Sequence, residues 1–230
     1  MRKRKTYSQR GQSFVELALL LPVLLIIISG MVELGFFLSQ YLALQDAVRN
    51  SARFTSDSLY YISDNDHTCS TTLDFYRQAA CLVNQELRMD HPLIVMSDNG
   101  TPNDTSDDIV DPTRGDDIIV SVFTITGGSH PTVTARFPTS AGESGWSYAE
   151  DIPGYGMRNL NSSFSSADIE SKLNVAAPST GFVLVELYYH YDHFLKLPWI
   201  LAFIPDPILL KSYSLMPNVS AEPTTTPISC

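Results

Sequence analysis

Glu16 is the residue of this chain whose chemistry most needs explaining. It stands inside an apolar run, residues 14–32, whose other interruptions are Ser29 and Gly30. A carboxylate in hydrocarbon costs about 2–3 kcal/mol at mid-bilayer and less near the interface, so a countercharge or a set of donors has to meet it. Gly11 lies five residues earlier. Before that glycine stand Arg2, Lys3, Arg4, Lys5 and Arg10, with no acid among them. A Gly and a Glu at this spacing say little by themselves. Placed at the junction of a basic leader and an apolar run, they say much more.

Other groups with chemical capacity are weaker candidates. His190-Tyr191-Asp192-His193 contains metal-ligating residue types, but on a strand positions 190 and 193 point to opposite faces, so a polar strand end is the better account. Residues 98–117 carry Asp98, Asn99, Gly100, Asn103, Asp104, Asp107, Asp108, Asp111, Asp116 and Asp117. Such oxygen donors can hold Ca²⁺, yet the EF-hand order with Gly sixth and Glu twelfth is absent, which favours a solvated acidic loop. Cys69 and Cys81 can pair in an oxidising compartment, with Cys230 as the odd thiol. Sequence does not fix their Cα separation, so three unpaired cysteines remain an alternative. There is no CxxC pair to suggest structural zinc. No GxSxG, P-loop or HExxH is present, and no context joins a Ser, a His and an Asp. The expectation is a protein that is not an enzyme, with no cofactor and no bound metal.

The elements that position Glu16 follow from charge and hydropathy. The 230-residue chain has a formal net charge of -10, and every acid lies after the basic leader. An acidic body repels phosphates, which argues against nucleic acid as a partner, whereas the basic patch suits the anionic cytoplasmic face of a membrane. Residues 14–32 span about 28 Å as a helix, close to the ~30 Å hydrocarbon thickness. Lys and Arg on the N-terminal side only place the N-terminus in the cytoplasm and the body outside. The run exceeds a secretory h-region and no A-x-A-like site follows it, so an uncleaved anchor fits better than a secretory signal. Leu34, Phe37, Tyr41, Leu44, Val48 and Ala52 then recur at three- and four-residue steps, which predicts one helix over 12–55, membrane-embedded first and amphipathic later. Pro22 inside it should kink it or loosen a turn.

The leader, Gly11, Glu16 and the apolar helix resemble a type IV prepilin signal. The resemblance implies that a prepilin peptidase cuts after Gly11 and that Gln12 becomes the new N-terminus. Glu16 is then the fifth residue of the mature chain, where it can neutralise the α-amine of a neighbouring subunit during assembly. The stretch GQSFVELALLLP from Gly11, Glu33-Leu34-Gly35, and ALQDAVRNSAR from Ala43 are similar to the TadE-like family, pseudopilins of the tight-adherence (Flp-type) pilus apparatus. Leu17, where the family commonly has an aromatic residue, and Asn50 and Ser51, where it favours small residues, are minor departures. The resemblance covers about the first fifth of the chain; in the C-terminal half it is loose.

The body reads as α+β. A helix is predicted over 71–89, with Leu73, Tyr76, Ala80, Val83 and Leu87 in one stripe and Thr71 with Asp74 as a capping box. Strands are predicted over 117–126, 132–137, 182–191 and 208–216, the first two joined by a Gly127-Gly128 turn. Residues 142–179 should be a long surface excursion with a short helix at 167–173. Residues 195–204 are apolar but too short to span a membrane, so they pack under the sheet or rest on the membrane surface.

The expected architecture is therefore a basic leader (1–11) and a transmembrane and amphipathic helix (12–55). There follow an extracytoplasmic α+β domain of antiparallel strands with one or two further helices (56–216) and a disordered tail (217–230). The expected function is that of a minor pilin-like subunit in the bacterial cytoplasmic membrane, single-pass with its N-terminus inside. Its partners would be the membrane, the prepilin peptidase, other pilus subunits and the assembly platform. The alternative is an uncleaved, membrane-anchored extracytoplasmic binding module whose acidic loops take Ca²⁺ or another ligand.

Overall fold

The computed structural model of the chain describes residues 10–58, 74–87, 96–97, 109–110, 115–151, 158, 160–175 and 177–223. In chain order the elements are α1 (Arg10–Ser56), α2 (Asp74–Leu87), β1 (Met96–Ser97), β2 (Ile109–Val110), β3 (Asp117–Thr126) and β4 (Thr132–Phe137). They continue with β5 (Trp146–Ser147), α3 (Tyr148–Asp151), α4 (Ser166–Lys172), β6 (Thr180–Tyr191), α5 (Pro198–Leu201) and β7 (Ile208–Pro217). Two compact units result: Met1–Ser39 with Asp192–Ile208, and Gln40–Tyr191 with Leu209–Cys230.

The first unit holds the apolar part of α1 and the connection between β6 and β7. The helix continues through Pro22, as expected for 12–55 with slightly wider bounds. Residues 195–204 fall within the first unit. They belong to the loop that folds against α1, where Phe194 stacks on Phe36 at 4.1 Å between ring centroids. Pro198 opens the single turn of α5, a position where its fixed φ and missing N–H carry no penalty.

The second unit is built on a sheet of order β4-β3-β6-β7, with β5 also paired to β3. β3 and β6 are antiparallel over a long register that sets Val120 against Val185 and Phe123 against Phe182. β4 and β5 share the other side of β3, also antiparallel, with a register shift between Thr124 and Ile125. β3 is buried along nearly its whole length, which explains why both of its parities are apolar rather than cleanly alternating. One face clusters Phe123, Ile125 and Leu184 with Ile169 of α4, and Val133, Phe164, Leu173 and Phe182 surround them. The other parity, Ile118, Val120, Val122, Val183, Val185 and Leu187, is equally buried. Each such side chain contributes about 1.5–3 kcal/mol of burial.

The helical layer of this unit comes from two stripes anticipated in the sequence. Leu44, Val48 and Ala52 of α1 are fully buried, and Tyr76, Ala80, Val83 and Leu87 of α2 are buried with Ala79. Ser51 on α1 donates its hydroxyl to the Ala79 carbonyl at 2.7 Å, a close helix–helix tie that small residues permit. Leu34, assigned to the same α1 stripe, is exposed. Thr71, half of the anticipated capping box, lies outside the described residues. A capping box does form at α4, where Ser165 and Asp168 satisfy each other's backbone N–H groups.

Two expectations are corrected. Residues 142–179 are not merely a surface excursion, because Trp146, Ala149 and Ile169 are buried. The stretch is polar because it carries partners for buried polar groups of the sheet. The expected tail 217–230 starts folded: Asn218 and Ala221 are buried around a 3₁₀ turn, Val219–Ala221, and Asn218 N–H donates to the Gly181 carbonyl at 2.8 Å. The Pro- and Thr-rich composition hid a single Asn able to bind backbone. Residues 224–230, with Cys230, lie outside the described residues.

Candidate functional site

The candidate site is the N-terminal segment of α1. Gly11 and Gln12 are helical in backbone. From Phe14 onward the apolar side chains stand outward: Phe14 is 76% exposed and Leu19 70%, and Leu20, Leu24, Ile27 and Ile28 follow the same pattern. Glu16 is exposed among them. Among the described residues no protein core covers this surface. Among the described residues one helix, Phe14–Ser56, is long and apolar enough to cross a membrane.

A second carboxylate on α1 has the opposite fate, and its role was not read from the sequence. Glu33 is buried, at 6% exposure, within the first unit. Its Oε1 accepts the Phe194 backbone N–H at 2.9 Å, and its Oε2 accepts the Leu195 backbone N–H at 2.9 Å. His193 Nδ1 lies 3.1 Å from Oε1, and His193 Nε2 lies 3.1 Å from the Pro205 carbonyl oxygen. Hydrogen bonds of this kind to an anion contribute about 1.5–3 kcal/mol each. Asp206 continues the arrangement by accepting the His193 backbone N–H at 3.0 Å. The charge at the end of the apolar run is thus met by a loop far along the chain. The signal for it was a Glu at the end of the apolar run with His193 far along the chain, and only folding brings the two together.

The remaining candidates resolve into separate settings. His190 Nδ1 pairs with Asp116 at 2.9 Å, while His193 takes Glu33, so the two histidines serve different carboxylates. Of the acidic stretch 98–117, residues 98–108 and 111–114 lie outside the described residues. Asp116 and Asp117 are buried, and Asp117 accepts from Ser147 Oγ at 2.7 Å and the Ala149 N–H at 3.1 Å. Among the described residues no group of three or more His, Cys, Asp or Glu is arranged to hold a metal ion. Cys81 is exposed on α2, and Cys69 lies outside the described residues.

A polar network also lies on one sheet face of the second unit. Arg136 donates to Ser121 Oγ at 3.0 Å, to the Phe164 carbonyl at 2.7 Å and to Glu143 at 3.0 Å, with its guanidinium 4.8 Å from the Phe123 ring centroid. Glu186 accepts from Ser162 Oγ and from the Ser163 N–H, and Tyr188 reaches Ser163 Oγ at 2.6 Å. Burial pushes the Asp117 carboxyl up to about 6, raises Glu186, carries Tyr188 up to about 12 and lowers Arg136. In each case loss of water outweighs the hydrogen bonds. Every one of these groups is held by the 142–179 segment, which makes the network a structural clamp on the sheet.

An N-terminal helix able to span a bilayer, followed in sequence by an α+β body with an antiparallel sheet, defines a membrane-anchored protein. A family model described as TadE-like protein matches residues 11–53, nearly the whole of α1. The match is confined to that segment and does not extend into the α+β body. No curated protein and no solved structure matches the chain significantly.

Proposed function

We propose that this chain is a minor pilin-like (pseudopilin) subunit for assembly of a tight-adherence pilus or a related secretion apparatus. A prepilin peptidase removes the leader after Gly11. The mature chain, starting at Gln12, stays in the cytoplasmic membrane with its body outside, and Glu16 pairs with the α-amine of a neighbouring subunit. Its partners are that peptidase, other pilus subunits and the assembly platform, and it performs no catalysis. The observation that carries this reading is the coincidence of the TadE-like match, 11–53, with a helix whose apolar surface beside Glu16 is left uncovered.

The test is intact-mass and N-terminal peptide analysis of the membrane-extracted protein from cells with and without their prepilin peptidase. The expected result is a chain starting at Gln12 only when the peptidase is present. A chain that keeps Arg2 to Gly11 in both strains overturns the proposal and leaves an uncleaved anchored module.

A further inference from the structure

The search for a further role turns on the loop Asp192–Ile208. It carries more exposed apolar surface than its neighbours in the fold explain: Phe203 is 87% exposed, Phe194 63%, and Ile204 and Leu201 are also exposed. Water is a poor solvent for such a cluster. The loop is nevertheless fixed in place. Glu33 holds its backbone at 194 and 195, Phe36 stacks on Phe194, and a Cβ built at Gly30 would lie 3.4 Å from the Trp199 ring.

These attachment points set its depth. If residues 14–32 fill the hydrocarbon, Gly30 lies about 3 Å inside the outer boundary and Phe36 about 6 Å beyond it, at ~1.5 Å per residue. Trp199 therefore sits against α1 at the level where indole rings collect in membranes. Lys196 adds a cation within 4.0 Å of Asp192 and Asp206, on the same loop. We propose that Asp192–Ile208 is an interfacial membrane-binding loop, which lays Phe194, Trp199, Leu201, Phe203 and Ile204 into the outer boundary of the bilayer beside the exit of α1. The partner is lipid, because the apolar side chains continue the lipid-facing surface of α1 at its end. The inference rests on α1 spanning the membrane and is independent of cleavage at Gly11.

The chain has two tryptophans, so Trp199 can be read by difference. The full-length protein is reconstituted in phosphatidylcholine–phosphatidylglycerol vesicles, alongside Trp199→Phe and Trp146→Phe variants. The difference between the full chain and Trp199→Phe reports Trp199 even if loss of the buried Trp146 impairs folding. The expected result is strong quenching of Trp199 by lipids brominated near the top of the acyl chain, weaker quenching by lipids brominated near its end, and little by aqueous acrylamide. Phe203→Asp should shift the Trp199 emission to the red and remove the bromine quenching. Free access to acrylamide without bromine quenching places the loop in water and overturns the proposal. Protection from both quenchers means that protein covers the loop, such as a second copy of this chain, and overturns it equally. A tryptophan placed at Leu24, with the two native ones replaced, controls for α1. Deep-bromine quenching there shows the anchor in place whatever the loop does.

Discussion

Glu33 Oε1 and His193 Nδ1 stand 3.1 Å apart although 160 residues separate them in the chain. The contact joins the end of the apolar helix run to the connection between two late strands. Glu33 also takes two backbone N–H groups, so this carboxylate is the polar fastening of the loop beside the Phe36–Phe194 stack. Glu33→Ala should therefore release the Phe194 and Leu195 amides. Loss of a charge-assisted hydrogen bond of about 1.5–3 kcal/mol corresponds to roughly 10- to 100-fold faster hydrogen exchange at those two positions. Mass-spectrometric exchange on the detergent-solubilised chain measures this, and unchanged protection would show that Glu33 is not the fastening.

The buried carboxylates of the sheet give the body a pH dependence of defined sign. Asp117 sits at about 6 when folded against an ordinary 3.8, so the unfolded chain gives up its proton first. This contribution is complete below about pH 4 and is lost as pH rises to about 6, worth at most about 3 kcal/mol. Glu186 is displaced in the same direction and adds to the decline. Urea unfolding followed by fluorescence across this range should show midpoints that fall with rising pH, with a shallower fall in Asp117→Asn. Equal slopes in the two proteins would mean that Asp117 is not the titrating group.

Arg136 and Glu143 form one ion pair with two very different ends. The Arg136 side chain is 5% exposed and the Glu143 side chain 62%. Removing the buried end strands Ser121 and the Phe164 carbonyl, so Arg136→Ala should cost about 3 kcal/mol. Removing the wet end, as in Glu143→Gln, should cost under about 1 kcal/mol. Comparable losses in thermal unfolding of the two variants would contradict this division.

Gly181 lies on β6 where the last turn crosses it. A Cβ there would clash with the Asn218 carbonyl oxygen and stand 2.6 Å from the Ala221 carbonyl carbon. Backbone cannot move aside as a side-chain tip can, so Gly181→Ala should destabilise by about 1–3 kcal/mol. A wild-type melting temperature would show that the turn is free to lift.

The parts legible in the sequence were those with a single period. The apolar run of α1, the stripe of α2 and the β-branched strands β3 and β6 each declared themselves by side-chain spacing. What stayed hidden depended on pairs distant in the chain. Glu33 could be seen at the membrane exit, but not the backbone amides that meet it. Ser162, Ser163 and Arg136 looked like loop and edge residues because the sheet groups they satisfy, Glu186, Tyr188 and Ser121, are paired only by folding. For Gln12 and Glu16 the position in a helix was legible from the apolar run that follows the basic leader.

The end of α1 is closed by a residue from the far side of the sequence. Asn218 Nδ2 donates to the Thr55 carbonyl at 3.0 Å and the Ser58 carbonyl at 3.1 Å, supplying donors that the last helical turn lacks. The terminal carbonyls of α1 therefore wait for Asn218, 163 positions further along the chain, to fold back onto them. The intervening sheet has to pair before this cap can close. Completion of the helix end is thus a late event in folding, tied to the last turn of the body rather than to the helix itself.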